Sequence, residues 1–220
     1  MTDFARARTN MVDSQLRPNG ITNARILDAM HHVQREDFLP EAQKAVAYMD
    51  GDVPLRNASE AGRCLIEPMA FARMVQLADV KAGDRVLDIG SATGYGAAIL
   101  AQLAQEVVAV EEDNNLARFA AEKLNGIANI KLEHGRLCEG SKIGGRFDAI
   151  IIEGRIEELP VAMIALLKAG GRIVAAHGPA DGCKCCIWTV SGSNHTHRRV
   201  FDISVAALPG FEKVNSGFAF

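Results

Sequence analysis

The feature that most constrains this chain is the segment VLDIGSATGYG at residues 86–96, where an apolar run leads directly into a glycine-containing loop. The run predicts a buried strand over Arg85–Ile89, and the apolar residues after the loop predict a helix over 97–104. Strands and helices are then predicted to alternate, at 107–110, 116–124, 130–133, 149–152, 159–167 and 172–176. Such alternation is typical of a mostly parallel sheet covered by helices, so the sequence predicts an α/β fold.

The loop and the end of the next strand carry candidate ligand groups. Gly90 and Gly94 leave room for a ligand to approach the main chain. The next strand ends at Glu111, whose carboxylate can accept hydrogen bonds from ribose hydroxyls, at a spacing that suits a nucleoside-binding unit. Ala92 stands where a dinucleotide motif has its second glycine, and no Lys-Ser or Lys-Thr pair follows as in a phosphate-binding loop. The pattern favours a nucleoside site, and the alternative is a tight turn that binds nothing.

We interpret the chain as a single domain made of three stretches. Residues 1–62 are expected to form a helical cover and an irregular loop, with Thr22 as the N-cap of a helix in the cover. Residues 63–180 are expected to form the cofactor-binding α/β core. Residues 181–220 are expected to form an antiparallel hairpin at the sheet edge and a tail. The tail is predicted to pack back over the sheet as a strap, with a partner-binding tail as the alternative, through Phe211, Phe218 and Phe220.

Composition excludes several classes of protein. The 24 Lys and Arg residues against 27 Asp and Glu give a formal net charge of −3, which argues against binding driven by the charge of nucleic acid. The first residues, MTDFARARTN, lack the apolar stretch of an export signal, and no apolar run is long enough to cross a membrane. Five cysteines without framework spacing favour reduced thiols. We therefore expect a cytoplasmic protein without a nucleic-acid or membrane partner, with a monomer favoured.

Longer motifs resemble one enzyme family. The segments ARTNMVDSQLRPNGI, ILDAMHHVQREDFLP, EPMAFARM, VLDIGSATGYGAAIL, FDAIII and LLKAGGRIV occur in this order. The loop followed by an acidic strand end resembles class I S-adenosylmethionine-dependent methyltransferases, and the ordered set resembles the protein-L-isoaspartate O-methyltransferase family. The resemblance implies a Rossmann-like class I methyltransferase fold, with S-adenosyl-L-methionine as cofactor and S-adenosyl-L-homocysteine as product. It implies methylation of the free α-carboxylate of isoaspartyl residues in damaged peptides or proteins.

The same resemblance assigns the cofactor contacts residue by residue. After the third strand the family has Gly-Asp-Gly, whose Asp helps to hold the adenine, whereas this chain has Gly135, Arg136 and Leu137. Adenine recognition must therefore differ here. The implied cofactor-binding residues are Asp88, Gly90, Ser91, Ala92, Thr93, Gly94, Tyr95, Glu111, Arg136 and Leu137.

The acceptor side departs further from the family. The family has a Thr-Ile-Ser-Gln-Pro type stretch before the next helix, and its Ser touches the reacting carboxylate. The residues in this chain that the resemblance assigns to the acceptor site are Cys64, Leu65, Ile66, Glu67 and Pro68. Ile66 lacks the serine hydroxyl and Glu67 adds a negative charge, so both changes oppose an anionic acceptor. Activity on isoaspartate is expected to be weakened rather than abolished.

Glu153 is a second candidate in the acceptor region. A carboxylate acceptor is already ionised at pH 7 and needs no general base, whereas an alcohol or amine acceptor would benefit from one. Glu153 follows the predicted strand in FDAIII, on the rim where an acceptor would meet the methyl group. The pattern favours a solvated loop carboxylate paired with Arg155 over a base or acceptor-binding group.

The cysteines and histidines of the hairpin raise the question of a zinc site. If the hairpin turns at 191–194, Trp188 faces His197 and Val190 faces His195, while Cys183 and Cys185 point to the opposite face. We therefore expect no metal from this set, which also contains Cys186. Two alternatives to the isoaspartyl reaction stay open: a methyltransferase for another acceptor, and a non-catalytic relative whose cleft binds a partner.

Overall fold

The computed structural model describes residues 3–59, 62–191 and 194–213. The strands in these ranges are β1 (Val53–Pro54), β2 (Cys64–Leu65), β3 (Arg85–Ile89), β4 (Glu106–Glu111), β5 (Ile130–His134), β6 (Phe147–Ile156), β7 (Leu167–His177), β8 (Lys184–Ser191) and β9 (Asn194–Asp202). The α-helices in these ranges are α1 (Phe4–Asn10), α2 (Ala24–His32), α3 (Pro68–Ala78), α4 (Tyr95–Leu103), α5 (Asn114–Leu124) and α6 (Val161–Ala165).

Strands β3 to β9 form one sheet with the spatial order β5-β4-β3-β6-β7-β8-β9. The five strands β3 to β7 are parallel, and β8 and β9 are added antiparallel at one edge. This confirms the predicted Rossmann-like fold and the antiparallel C-terminal hairpin. The order places the carboxyl ends of β3, β4 and β6 side by side, which is where ligands bind in open α/β sheets.

Apolar layers cover both faces of the sheet. One face packs under the N-terminal cover and α3, α4 and α5, around residues such as Phe71 and Ile99. The other face packs under α6 and the segment 208–211, around Phe147 and Trp188. No helix in the described ranges is both long and apolar enough to span a membrane.

The predicted boundaries of the helices α2 and α6 are wrong. The N-cap of α2 is Asn23, whose side chain accepts from the Arg25 N–H, and not Thr22. The main-chain N–H of Thr22 instead donates to Gln76. The helix predicted over 159–167 is limited to α6, because Leu167 already pairs with Phe147 as the first residue of β7.

The tail crosses the carboxyl end of β6. The Arg155 N–H donates to the Ala206 carbonyl, and the Leu208 N–H donates to the Arg155 carbonyl. Leu208 and Phe211 are buried. The described part of the tail therefore packs over the sheet as predicted, while Phe218 and Phe220 lie outside the described residues.

Candidate cofactor and acceptor site

The glycine loop lies between β3 and α4 at the carboxyl edge of the sheet. Gly90 has φ of 77° and Gly94 has φ of 92°, conformations that glycine adopts at little cost. Ala92 also has a positive φ of 51°, in a region that side chains other than glycine rarely occupy. The N–H groups of Gly90 and Ser91 donate to the Val110 carbonyl, which ties the loop to β4. The loop is therefore held in place by the neighbouring strand.

Glu111, at the end of β4, is fully buried and its carboxylate accepts five hydrogen bonds. Three donors are main-chain N–H groups, those of Ala92, Glu112 and Asp113, at 2.7 to 2.9 Å. The other two are the terminal nitrogens of Arg63, at 2.6 and 2.7 Å. Such a bidentate arginine–carboxylate pair is among the strongest hydrogen-bonded contacts in proteins. Glu111 is therefore fully occupied by groups of the protein itself.

Arg63 reaches Glu111 from the hairpin formed by β1 and β2. Its main-chain carbonyl accepts from the Leu55 N–H, and the Ser59 side chain and N–H bind the Asp113 carboxylate. Burial lowers the pKa of Arg63, but the hydrogen bonds and charge of Glu111 outweigh it, so the pKa is raised overall. The guanidinium is therefore held as a cation at the end of β4.

Asp88, at the end of β3, presents the opposite situation. It is fully buried, and neither carboxylate oxygen accepts from an N–H or hydroxyl group in the described residues. Its neighbour is the carboxyl group of Glu153. Burial raises the pKa of Asp88, and burial together with the charge of Asp88 raises the pKa of Glu153 well above its ordinary value. Neighbouring buried carboxyl groups disfavour the doubly ionised state, so the pair retains a proton, and the raised pKa of Glu153 assigns that proton to Glu153.

The position of Glu153 corrects the favoured prediction of a solvated loop carboxylate. β6 continues past residue 152, so Glu153 lies within the strand and is only 7% exposed. Arg155 pairs with Glu157 instead. The space for Glu153 is provided by Gly96, since a Cβ at that position would collide with the Glu153 carboxyl group. The predicted strand ends too early, at residue 152, so the sequence does not predict that Glu153 is buried beside Asp88.

Further polar atoms around Asp88 lack partners. The hydroxyl oxygens of Ser91 and Thr93 are buried, and neither has a hydrogen bond within the described ranges. Buried polar groups are rarely left unpaired, and each such atom needs an explanation. Here they belong to the loop that follows Asp88, at the edge where α/β sheets bind ligands, so Asp88 and the loop together fit a ligand that carries hydrogen-bond donors and positive charge.

The tail and Arg63 limit access to this cluster. The side chain of Leu208 covers Gly90 and Gly154, and its methyl groups lie 3.1 Å from where a Cβ on Gly90 would be. A cavity of about 220 Å³ opens beside Glu111, and it is lined by Ser59, Arg63, Glu112, Asp113, Asn114 and Pro209. The open space therefore lies on the β4 side, next to Arg63.

Comparison with known proteins identifies the family. A family model described as protein-L-isoaspartate(D-aspartate) O-methyltransferase matches residues 7–186. The chain belongs to the protein-L-isoaspartate O-methyltransferase family. The protein-L-isoaspartate O-methyltransferase of Methylorubrum extorquens strain PA1 is 36% identical over 200 residues, which cover 90% of this chain and 86% of the relative.

Solved structures agree on the fold. A protein-L-isoaspartate O-methyltransferase structure superposes with a TM-score of 0.82 at 21% identity, covering 92% of this chain and 66% of the other. A family member from Plasmodium falciparum, solved in complex with S-adenosyl-L-homocysteine, superposes with a TM-score of 0.76 at 20% identity, covering 94% of this chain and 99% of the other. The class I methyltransferase architecture is therefore established.

The segment that aligns with the family's serine region is largely core. Leu65 and Ile66 are 1% and 2% exposed, and Pro68 begins α3. Cys64 and Glu67 are half-buried, and burial raises the pKa of the Cys64 thiol to about 12, which makes it a poor nucleophile. The role of this segment in acceptor binding stays a prediction.

Two arginines that sequence reasoning missed hold this region. Arg35 is completely buried, and its guanidinium donates to the carbonyls of Ala47 and Ile66 at 2.7 Å. It also lies over the Tyr95 ring, 4.8 Å from the ring centre. Arg35 and Arg63 are both charged residues in polar stretches, so no periodicity marked them as buried.

The remaining predicted cofactor residues separate in space. Tyr95 is buried against Phe38 and Phe71. The Leu137 side chain is also buried, and its N–H donates to the Glu112 carboxylate at 3.1 Å. Arg136 is exposed and pairs with Glu139. The roles of these residues in cofactor binding stay predictions. Neither Tyr95 nor Arg136 lines the open cavity beside Glu111.

Proposed function

We propose that this chain transfers a methyl group from S-adenosyl-L-methionine to the α-carboxylate of isoaspartyl residues in peptides and proteins, as its family name describes. The observation that carries the proposal is the buried carboxyl group of Asp88. It lacks an N–H or hydroxyl donor in the described ranges and lies beside a glycine loop at the end of β3. A ligand with an ammonium group would satisfy it.

The donor set fits this cofactor. S-Adenosyl-L-methionine supplies a methyl group on a positively charged sulfur, and it also carries an ammonium group and ribose hydroxyls. Asp88 would accept from the ammonium group, and the Ser91 and Thr93 hydroxyls are available beside it. Glu111 would accept from the ribose hydroxyls. Because Glu111 already has five donors, cofactor binding requires Arg63 to release at least one carboxylate oxygen.

The protein's contribution to the reaction is binding and orientation. An isoaspartyl carboxylate is ionised at neutral pH and attacks without a general base, so alignment and exclusion of water are sufficient. Glu153, which holds the shared proton, is not required as a base. Arg35 fixes the main chain of Leu65 and Ile66, and this orients the segment where the family binds its acceptor.

The test is transfer of labelled methyl to an isoaspartyl peptide and to its aspartyl twin. We expect base-labile labelling of the isoaspartyl peptide alone, and loss of labelling in Asp88→Asn. Binding of S-adenosyl-L-homocysteine is measured in parallel by calorimetry. Cofactor binding without transfer to either peptide would contradict the isoaspartyl substrate, and absence of binding would contradict the enzyme assignment altogether.

A second candidate is methylation of a different acceptor. It is favoured by the replacement of the family's serine by Ile66, which is buried and apolar. An acceptor screen separates the two candidates, since activity on an uncharged acceptor in preference to isoaspartate would support the second.

We further propose that the chain works as a single-domain monomer in the cytoplasm, without nucleic acid. The five free cysteines and the mild negative charge support this proposal. Sedimentation of the purified chain tests the oligomeric state directly.

A further inference from the structure

Three potential metal ligands converge on the edge of the sheet away from the cofactor site. They are His177 at the end of β7, Cys186 in β8 and His197 in β9. One ligand atom from each lies within 4.8 Å of the other two. Cys186 is buried, His177 is partly buried and His197 is exposed, so the group is open to solvent on one side.

Strand register explains the convergence. Cys186 pairs with Ala175, two residues before His177, and Trp188 pairs with His197. Because side chains alternate along a strand, all three ligands point to the same face of the sheet. Cys183 and Cys185 pack on the opposite face, as the hairpin geometry predicted.

The prediction of no metal rests on the cysteines and histidines of the hairpin alone. His177 comes from β7, which precedes the hairpin in the chain, and it supplies the ligand that the hairpin lacks. A set that joins three strands has no fixed spacing in sequence, so no motif marked it.

The two imidazole rings are already oriented. The Trp188 indole stacks on the His197 ring, with centroids 4.7 Å apart and planes 20° apart. It meets the His177 ring edge-on at 5.4 Å. The His177 and His197 rings also meet edge-on, with their centroids 5.6 Å apart. These ring contacts limit the rotation of both imidazoles, which reduces the cost of ordering the ligands when the ion binds.

We propose that His177, Cys186 and His197 form a binding site for a transition-metal ion of the zinc class. One thiolate and two neutral imidazoles are a ligand set that zinc and cobalt favour, and a fourth position is left for water. On binding, the Cys186 thiol gives its proton to solvent and the thiolate sulfur donates an electron pair to the ion. Arg199 lies opposite Cys186 on β9 and is exposed, so solvent and salt screen its charge.

The proposal is independent of methyl transfer, since none of the three ligands belongs to the cofactor cluster. The test is a cobalt(II) titration of the full, untagged chain freed of metal with a chelator. We expect one equivalent to bind, with visible ligand-field bands and a near-ultraviolet thiolate-to-cobalt charge-transfer band. Zinc should displace the cobalt. The proposal fails if no cobalt binds, or if the charge-transfer band is absent.

Variants locate the site. Cys186→Ser should abolish the charge-transfer band, and His197→Ala should weaken cobalt binding by about a hundredfold or more, because removing even a group that only supports a ligand costs 10-fold to 100-fold. His197 is exposed on an edge strand, so its variant is expected to fold even if the Cys186 variant does not. Bands that survive in a folded Cys186→Ser protein would overturn the assignment.

Matched controls lie on the same strands. Cys185→Ser changes the neighbouring thiol, which faces the opposite side of the sheet, and His195→Ala changes a histidine two residues from His197. Both should bind cobalt with unchanged spectra and less than about a threefold change in affinity. Loss of binding in either control would contradict the proposed ligand set.

Discussion

The carboxyl ends of β3 and β4 hold two buried carboxylates in very different surroundings. Glu111 ends β4 and accepts five hydrogen bonds, two of them from a buried arginine. Asp88 lies in β3, opposite Ala109 of β4, and its carboxyl group neighbours that of Glu153 and has no N–H donor in the described ranges. Both are fully buried. The Glu111 end of the site is therefore neutralised by a cation of the protein, Arg63. The Asp88 end can accept a cation from a bound ligand.

This difference shows that two buried acidic residues of one site can differ in whether their carboxylates already have hydrogen-bond donors. The family resemblance treats Asp88 and Glu111 alike, as cofactor ligands. The geometry instead predicts that Asp88 gains a hydrogen-bond donor when the cofactor binds. Glu111 must exchange a donor of Arg63 for a donor of the cofactor. Burying an ion without a partner costs several kcal/mol, so the two ends should respond in opposite ways to mutation.

The largest expected effect comes from breaking the occupied end. Glu111→Gln leaves the Arg63 cation buried without its carboxylate, and removing one partner of a buried pair costs about 3–5 kcal/mol. We expect this loss in the free energy of unfolding, measured by urea denaturation without cofactor.

Glu106→Gln is the matched control, because Glu106 pairs with Arg85 and Lys131 near the surface. Its loss should stay below about 1 kcal/mol, as is usual for exposed ion pairs. Equal losses in the two variants would show that the Arg63–Glu111 pair is no more important than a surface pair.

The acid pair at the other end should make stability depend on pH. Burial raises the pKa of Asp88 from 3.8 to about 7, and burial and the Asp88 charge raise the pKa of Glu153. At pH values between the ordinary and the raised pKa of Asp88, the folded chain holds more protons than the unfolded chain. Its stability therefore falls as the pH rises from about 4 to about 7. The slope per proton is about 1.4 kcal/mol for each pH unit.

Glu153→Gln tests this directly in urea titrations across the same pH range. The glutamine amide can donate to Asp88 without a shared proton, so the decline between pH 5 and pH 7 should flatten. Glu157→Gln, which changes an exposed carboxylate just beyond β6, should leave the decline unchanged. A wild-type curve that rises with pH over this interval would contradict the shared proton.

The smallest effect is expected from an unpaired hydroxyl beside Asp88. Thr93→Val keeps the shape of the side chain and removes a buried oxygen without a hydrogen bond in the described ranges. Because no bond is lost, unfolding free energy should change by less than about 1 kcal/mol or increase slightly. A loss above about 2 kcal/mol, measured by urea denaturation, would show that the hydroxyl has a partner in the free protein.

Much of the fold could be predicted from the sequence. The strand over Arg85–Ile89 and the alternation of strands and helices follow from local patterns, and the structure confirms them. The predictions of Thr22 as an N-cap and of a helix over 159–167 are wrong. Neighbouring residues have nearly equal local preferences there, and side-chain capping and strand pairing decide between them.

The site was less predictable, because its decisive contacts join distant parts of the chain. Arg63 and Glu111 are separated by 48 residues, and Arg35 and Ile66 by 31. The burial of Glu153 depends on the extra length of β6 and on Gly96, which no strand pattern reveals. Motifs identify which residues belong to a family site, but only the packing shows which of them are already occupied.

The central claim is that Arg63 and the cofactor compete for the Glu111 carboxylate, whereas the Asp88 carboxylate gains a hydrogen-bond donor when the cofactor binds. It is tested most directly by calorimetric titration of S-adenosyl-L-homocysteine into the wild type, Arg63→Gln and Asp88→Asn. Since hydrogen bonds to charged groups contribute about 1.5–3 kcal/mol, Arg63→Gln should bind roughly tenfold or more tightly than the wild type, and Asp88→Asn roughly tenfold or more weakly. Unchanged or weaker binding by Arg63→Gln would contradict the account.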